Sequence, residues 1–277
     1  MANLAEQILT ELTEAIENEE LFMPTLPEVA LKIRETAEDP EVDVQTLAKV
    51  VSNDAAISAR IIKIVNSPLM RASREIDNIT MAVNRLGITY TANLATGLAM
   101  EQMFQATSDV VDKILRSVWQ HSTEVAGISH VLCKHFTRLM PDQATLAGLL
   151  HQIGVLPILT YVEEKGTIPD SISLSQVIEK VHPRLGTRIL RAWDFPENIA
   201  VVPSQYTNFG RDSNSVDYVD IVMVANLQTL AGTGHPYTQL DWTQIKAFEK
   251  LGINPVDEEG EGEDLTAEMD AAMSLLQ

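Results

Sequence analysis

Apolar residues recur along this chain at spacings of three and four, the period of an amphipathic helix. Leu4, Ile8, Leu12 and Ile16 mark a first helix, which packs on the body or on a partner. Thr25-Leu26-Pro27-Glu28 has the form of a capping box with Thr25 as the cap. Val29, Ala30, Ile33 and Ala37 continue one apolar face until Asp39-Pro40 stops it. Asp43 caps a helix striped by Val44, Leu47, Ala48 and Val51, and Ser52-Asn53-Asp54 breaks the chain and caps the next. Ile57, Ile61, Ile64 and Val65 form that next stripe. A further helix over Ile79 to Leu86 is closed by Gly87, and Thr89 opens another containing Leu94, Leu98 and Met103. These are five short helices between about residues 26 and 105. No stretch sustains the period of two that a strand requires.

Thr107-Ser108-Asp109 reads as a boundary, after which Val110, Ile114, Val118, Ala126 and Ile128 predict one longer helix toward Phe136. Pro141-Asp142 starts the helix that bears His151-Gln152, and an apolar segment follows from Leu156 to Val162. Ser173-Leu174-Ser175-Gln176 is a second capping box, and Pro183 suits a first helical position with His182 in the preceding turn. Asp217 to Ala231 is helical, with Asn226 among apolar neighbours. Asp241-Trp242-Thr243-Gln244 starts a helix that ends at Gly252. Residues 257–264 carry six acids and no base, which predicts a solvated, mobile loop. Leu265, Met269, Met273 and Leu276 mark a terminal helix that docks on the body or dimerises.

The pattern predicts an all-α protein in two helical lobes, a five-helix N-terminal lobe and a C-terminal helical bundle, meeting near residues 105–112. The segments are residues 1–20 for the first helix, 21–107 and 108–235 for the lobes, and 236–277 for the C-terminal helices with the acidic loop.

Charge narrows the function classes. The 277 residues hold 39 acids against 20 Lys and Arg, a formal net charge of −19. Phosphate-backbone binding needs clustered cations, so nucleic acid is disfavoured as a partner, and so is an anionic membrane surface. The scattered bases Arg60, Lys63, Arg71, Arg74 and Arg85 read as solvated helix faces. The most apolar stretch, Ala147 to Val162, contains His151, Gln152 and Pro157, too short and polar for a membrane span. The N-terminus shows no basic-then-apolar leader, and a single cysteine, Cys133, reads as a buried hydrophobe in a reducing compartment. Cytoplasm is the expected location.

The stretch with chemistry is Ala147-Gly148-Leu149-Leu150-His151-Gln152-Ile153-Gly154. Its polar pair must find partners or face a cavity, because an unpaired buried polar group costs roughly 1–3 kcal/mol. The stretch resembles the His-Asp doublet of the HD superfamily, with Gln152 where the aspartate belongs. The wider chain resembles one branch of it, the HDOD domain of bacterial signalling proteins. That resemblance rests on Pro24-Thr25-Leu26-Pro27-Glu28-Val29-Ala30, Ser52-Asn53-Asp54, Ile64-Val65-Asn66-Ser67 and the run Ile79 to Gly87. It continues through Val118-Trp119-Gln120-His121-Ser122 and Leu185 to Pro196, spanning roughly residues 20 to 235.

The resemblance implies a pocket and what is missing from it. Metal-dependent HD enzymes hold a divalent ion with a His, a His-Asp doublet and a distal Asp, and the ion activates water for attack on a phosphoester. His121 resembles the first histidine, His151 the second, and Asn226 the position of the distal aspartate. Both anionic ligand positions are thus neutral amides, which do not offset the charge of a desolvated dication. His182 matches an accessory histidine of some relatives, but the next accessory positions, near Val202 to Tyr206, contain none. No catalytic residue, metal or cofactor is therefore expected; His121, His151 and His182 are weak metal candidates, and a hydrogen-bonded network of His151, Gln152 and Asn226 is the competing assignment. His130, His135 and His235 match no motif position and read as surface or packing residues. The implied function is a non-catalytic signalling or regulatory module whose partner is a signalling protein or small regulator. The alternative is a phosphohydrolase that uses a divalent metal to cleave a nucleotide or cyclic dinucleotide. The sequence leaves oligomeric state open.

Overall fold

The computed structural model describes residues 2–18, 23–68, 70, 75–166, 170–255 and 262–276, and among them there are helices and no strands. Helix α1 (Ala2–Glu17) buries Ile8, Leu12 and Ile16. It lies on the body of the protein, where Arg188 donates to the Ile16 carbonyl at 2.8 Å. The next five helices are α2 (Glu28–Glu38), α3 (Val44–Val51), α4 (Ala55–Val65), α5 (Ile79–Leu86) and α6 (Ile88–Ala99). The expected caps are present on α3 and α4, where the Asp43 and Asp54 carboxylates accept from the Thr46 and Ile57 amides. Asn78 caps α5, and Gly87 ends it at a φ of 87°, a conformation that costs glycine little.

Thr25 does not cap α2. The helix starts after Pro27, with no side-chain cap. A residue before proline is pushed out of the helical region, so Leu26 is barred from the first turn that a Thr25 cap would require.

Helix α7 (Asp109–Phe136) is the longest element and forms the spine. Helix α8 (Pro141–Leu150) packs against it and, after a turn at 151–154, continues as α9 (Val155–Lys165); α10 (Ser171–Ala192) lies on α9, α11 (Glu197–Ala200) and α12 (Val202–Gln205) lie on α10, and α13 (Tyr218–Leu230) returns to α7. The chain ends in α14 (Lys246–Leu251) and α15 (Gly262–Leu276). Asp241 caps only a short 3-10 turn, Trp242–Gln244, before α14 begins. Helix α15 docks on α7, where Glu268 pairs with Lys134 at 2.5 Å and His135 at 2.9 Å. Of the acidic run, Asp257 to Glu261 lie outside the described residues, as do Arg71 and Arg74. Glu263 and Asp264 fall within α15.

The segments on either side of residues 105–112 share apolar packing. One cluster of buried side chains runs from Ile8 through Leu98 and Leu149 to Leu276. The stretch Pro141–Lys165 has the length and hydropathy of a membrane span, but 83% of that window is buried inside this core. Cys133 is buried and free.

Two more expectations fail at α10. Asp170, rather than the Ser173 box, caps it, and Pro183 sits in its interior. Proline there removes a backbone donor. Leu174, Val177, Val181, Leu185 and Ile189, all buried, form one continuous stripe through that position and hold the helix together across it.

Candidate functional site

Three helices meet around a cavity of about 340 Å³. Helix α7 contributes Ile114, Ser117, Val118 and His121, a single face at helical spacing. Helix α10 contributes Leu174, Ser175, Ile178, Glu179 and His182 in the same way, and α13 contributes Asn226 and Leu230. The His151-Gln152 pair belongs to the turn after α8, not to the helix itself; His151 is its C-cap. Close helix crossings fix that turn. A Cβ on Gly148 would lie 2.5 Å from the Ala126 Cα, and one on Gly154 only 2.0 Å from the His182 carbonyl oxygen. Only glycine permits both approaches.

The five residues singled out by sequence come together here. His121 Nε2 lies 2.9 Å from Asn226 Oδ1, so the imidazole donates to the amide across the α7–α13 contact. The His121 and His151 rings are 5.7 Å apart, centre to centre. His151 is wholly buried and uses Nδ1 on the Gly148 carbonyl at 2.6 Å, which leaves Nε2 as a bare acceptor. Gln152 stands beside Tyr206 in the cavity wall rather than in a network with His151 and Asn226, and its Oε1 has no partner among the described residues. The Tyr206 hydroxyl also lies 3.2 Å from His182 Nε2.

Tyr206 is what sequence reasoning missed. It stands among the positions where accessory histidines are absent, and its ring sits edge-on to His151 at 4.8 Å and tilted to His182 at 5.9 Å. His235, read as a surface or packing residue, instead lines the cavity mouth with Tyr237, and its Nε2 lies 3.9 Å from the Glu179 carboxylate. His130 is an ordinary buried partner of Tyr90 and Thr145. His135 is tied to Glu268.

Burial sets the charge state. It pushes the His182 imidazole down to about 3 and holds His151 well below the ordinary histidine value. His121 is also lowered by burial, partly offset by its bond to Asn226. Burial raises the Tyr206 phenol, with a smaller opposing effect from Gln152. Burial therefore keeps the imidazoles of His121, His151 and His182 neutral at pH 7.

This donor set does not fit a divalent metal centre. Among the described residues no three His, Cys, Asp or Glu side chains converge to hold an ion. His121 Nε2 is engaged by an amide, both carboxylate positions are uncharged, and the Tyr206 ring packs on His151. A dication held by His121, His151, Gln152 and Asn226 would have only neutral imidazole and amide ligands.

The family model for the HDOD domain matches residues 23–208. The chain belongs to the HDOD-domain family. It is similar, at 30% identity with all of both chains covered and a TM-score of 0.89, to a Shewanella amazonensis SB2B protein described as a candidate metal-dependent phosphohydrolase. It shares its fold with an HDOD domain protein of unknown function from Geobacter sulfurreducens, at 22% identity, 98% and 96% coverage and a TM-score of 0.64. A Marinobacter aquaeolei VT8 protein described as a candidate signal transduction protein has the same fold, at 19% identity, 99% and 65% coverage and a TM-score of 0.64. A Treponema pallidum protein without a described function is 23% identical over 205 residues. That match takes in 69% of this chain but only 38% of the Treponema protein.

Proposed function

We propose that this HDOD-family signalling protein is non-catalytic, a cytoplasmic regulatory module in which the ancestral metal site has become a neutral hydrogen-bonded pocket. The observation that carries this reading is the direct bond from His121 to Asn226. Where an HD enzyme would place an ion between a histidine and an aspartate, these two side chains satisfy each other. Gln152 is likewise an amide, beside Tyr206 in the cavity wall, and neither amide carries the charge that helps a metal ion activate water. Partners are a signalling protein or a small regulator; a chain of net charge −19 is poorly suited to nucleic acid or anionic membranes.

The competing reading, a metal-dependent phosphohydrolase, draws support from the description of the Shewanella relative. Elemental analysis of purified protein, with an assay of cyclic dinucleotide hydrolysis, separates the two. Neither stoichiometric metal nor turnover is expected. Two equivalents of iron or manganese together with hydrolysis would overturn the proposal.

A further inference from the structure

The cavity above this site differs from a phosphoester pocket in its charge. Among the described residues its lining holds no Arg or Lys; its carboxylate is Glu179, about half exposed, with the His235 imidazole 3.9 Å away. Sites for phosphate groups supply cations or clustered backbone donors, because one or two negative charges must be compensated as water is removed. Here the wall offers acceptors. Gln152 Oε1 in that wall is buried without a donor among the described residues, an arrangement that costs free energy until a donor arrives. The remaining wall is apolar and aromatic: Ile114, Val118, Leu174 and Ile178, with the rings of Tyr206 and Tyr237. Aromatic faces and a carboxylate recognise an ammonium group, and the aliphatic wall takes an apolar body. The volume, about 340 Å³, suits a molecule of modest size.

We infer that this pocket binds a small organic cation, an ammonium group on an apolar body, with Glu179 as counter-ion, and not a phosphate ester. This rests on the pocket being non-catalytic and names the class of regulator it takes. The cation enters past His235 and Tyr237, its charge facing Glu179 and its apolar part lying along α7 and α10. Binding involves no covalent step.

Calorimetric titration tests it with 2-phenylethylamine as probe, 2-phenylethanol as its uncharged counterpart, and cyclic AMP and inorganic phosphate as anions. The amine should bind at least tenfold more tightly than the alcohol, and the anions should give no heat. Glu179→Gln should weaken the amine at least tenfold without changing the melting temperature greatly, since its side chain is exposed. Ser175→Trp, which fills the cavity, should abolish binding while circular dichroism reports intact helices. Amine binding that survives both variants would be adsorption to an acidic surface and would overturn the inference, as would the absence of amine binding at millimolar concentration. Cyclic AMP bound but not hydrolysed would overturn the ligand class alone; cyclic AMP hydrolysed would overturn the non-catalytic reading as well.

Discussion

The two ends of α13 hold buried polar groups under opposite rules. At its N-terminus Asp220 is fully buried and ionic. Its carboxylate accepts from Arg211 at 2.6 Å and from Lys250 at 2.6 Å on both oxygens, and it closes a capping box with Asp217. Six residues on, Asn226 is also buried, but it is neutral and bonded to a neutral imidazole. A buried carboxylate persists where cations and backbone donors surround it, since an uncompensated charge is far costlier than an unpaired amide. Without a bound metal, an aspartate at position 226 would have no fixed cation. Asp220 has Arg211 and Lys250, whereas among the described residues no Arg or Lys pairs with Asn226, and the neutral amide is the residue consistent with those surroundings.

That contrast can be broken at either end. Asp220→Ala strands Arg211 beside Asp217 alone and leaves Lys250 with Ser213, and should cost about 3–5 kcal/mol. Asn226→Ala leaves only the His121 N–H without its acceptor, and should cost about 1–2 kcal/mol. Urea unfolding of both variants measures the difference; equal losses would mean the two ends are not under different rules.

Acid should destabilise the protein by a smaller step through its buried neutral histidines. The folded values of His182, about 3, and His130, about 4, lie below the unfolded value. Their contribution is therefore complete above the unfolded value and is lost as pH falls toward the folded one. With an unfolded value of about 6.5, going from pH 7 to pH 6 should remove roughly 0.7 kcal/mol per buried neutral histidine. His182→Gln should reduce the slope of stability against pH over that interval. A slope identical to wild type would show that His182 is not held neutral by the fold.

How much of this was legible in the chain depended on distance along it. Asp43, Asp54 and Gly87 act on neighbours three or four residues away, so their caps could be read directly. Thr25 misled because the steric rule of Pro27 outranks a capping pattern, and Pro183 misled because a buried stripe outweighs a local breaker. The five pocket positions were legible through a family pattern. The partners that define their state were not: Tyr206 reaches His151 and Gln152 from about fifty residues away, and His235 meets Glu179 only through tertiary packing. No periodicity encodes such contacts. Their one trace was negative, the missing histidines near residue 206.

The central claim is that His121, His151 and positions 152 and 226 form one former metal site, inactivated by its two amides. The direct measurement is calorimetric titration of Mn²⁺ into wild type and into the double variant Gln152→Asp plus Asn226→Asp. Two imidazoles and two carboxylates supply both the ligand number and the compensating charge for one divalent ion. The double variant should bind one equivalent and gain melting temperature in proportion to metal, because binding to the folded state stabilises it. Wild type should show neither effect. A folded double variant that binds Mn²⁺ no better than wild type, or a wild type that already binds it stoichiometrically, would contradict the account.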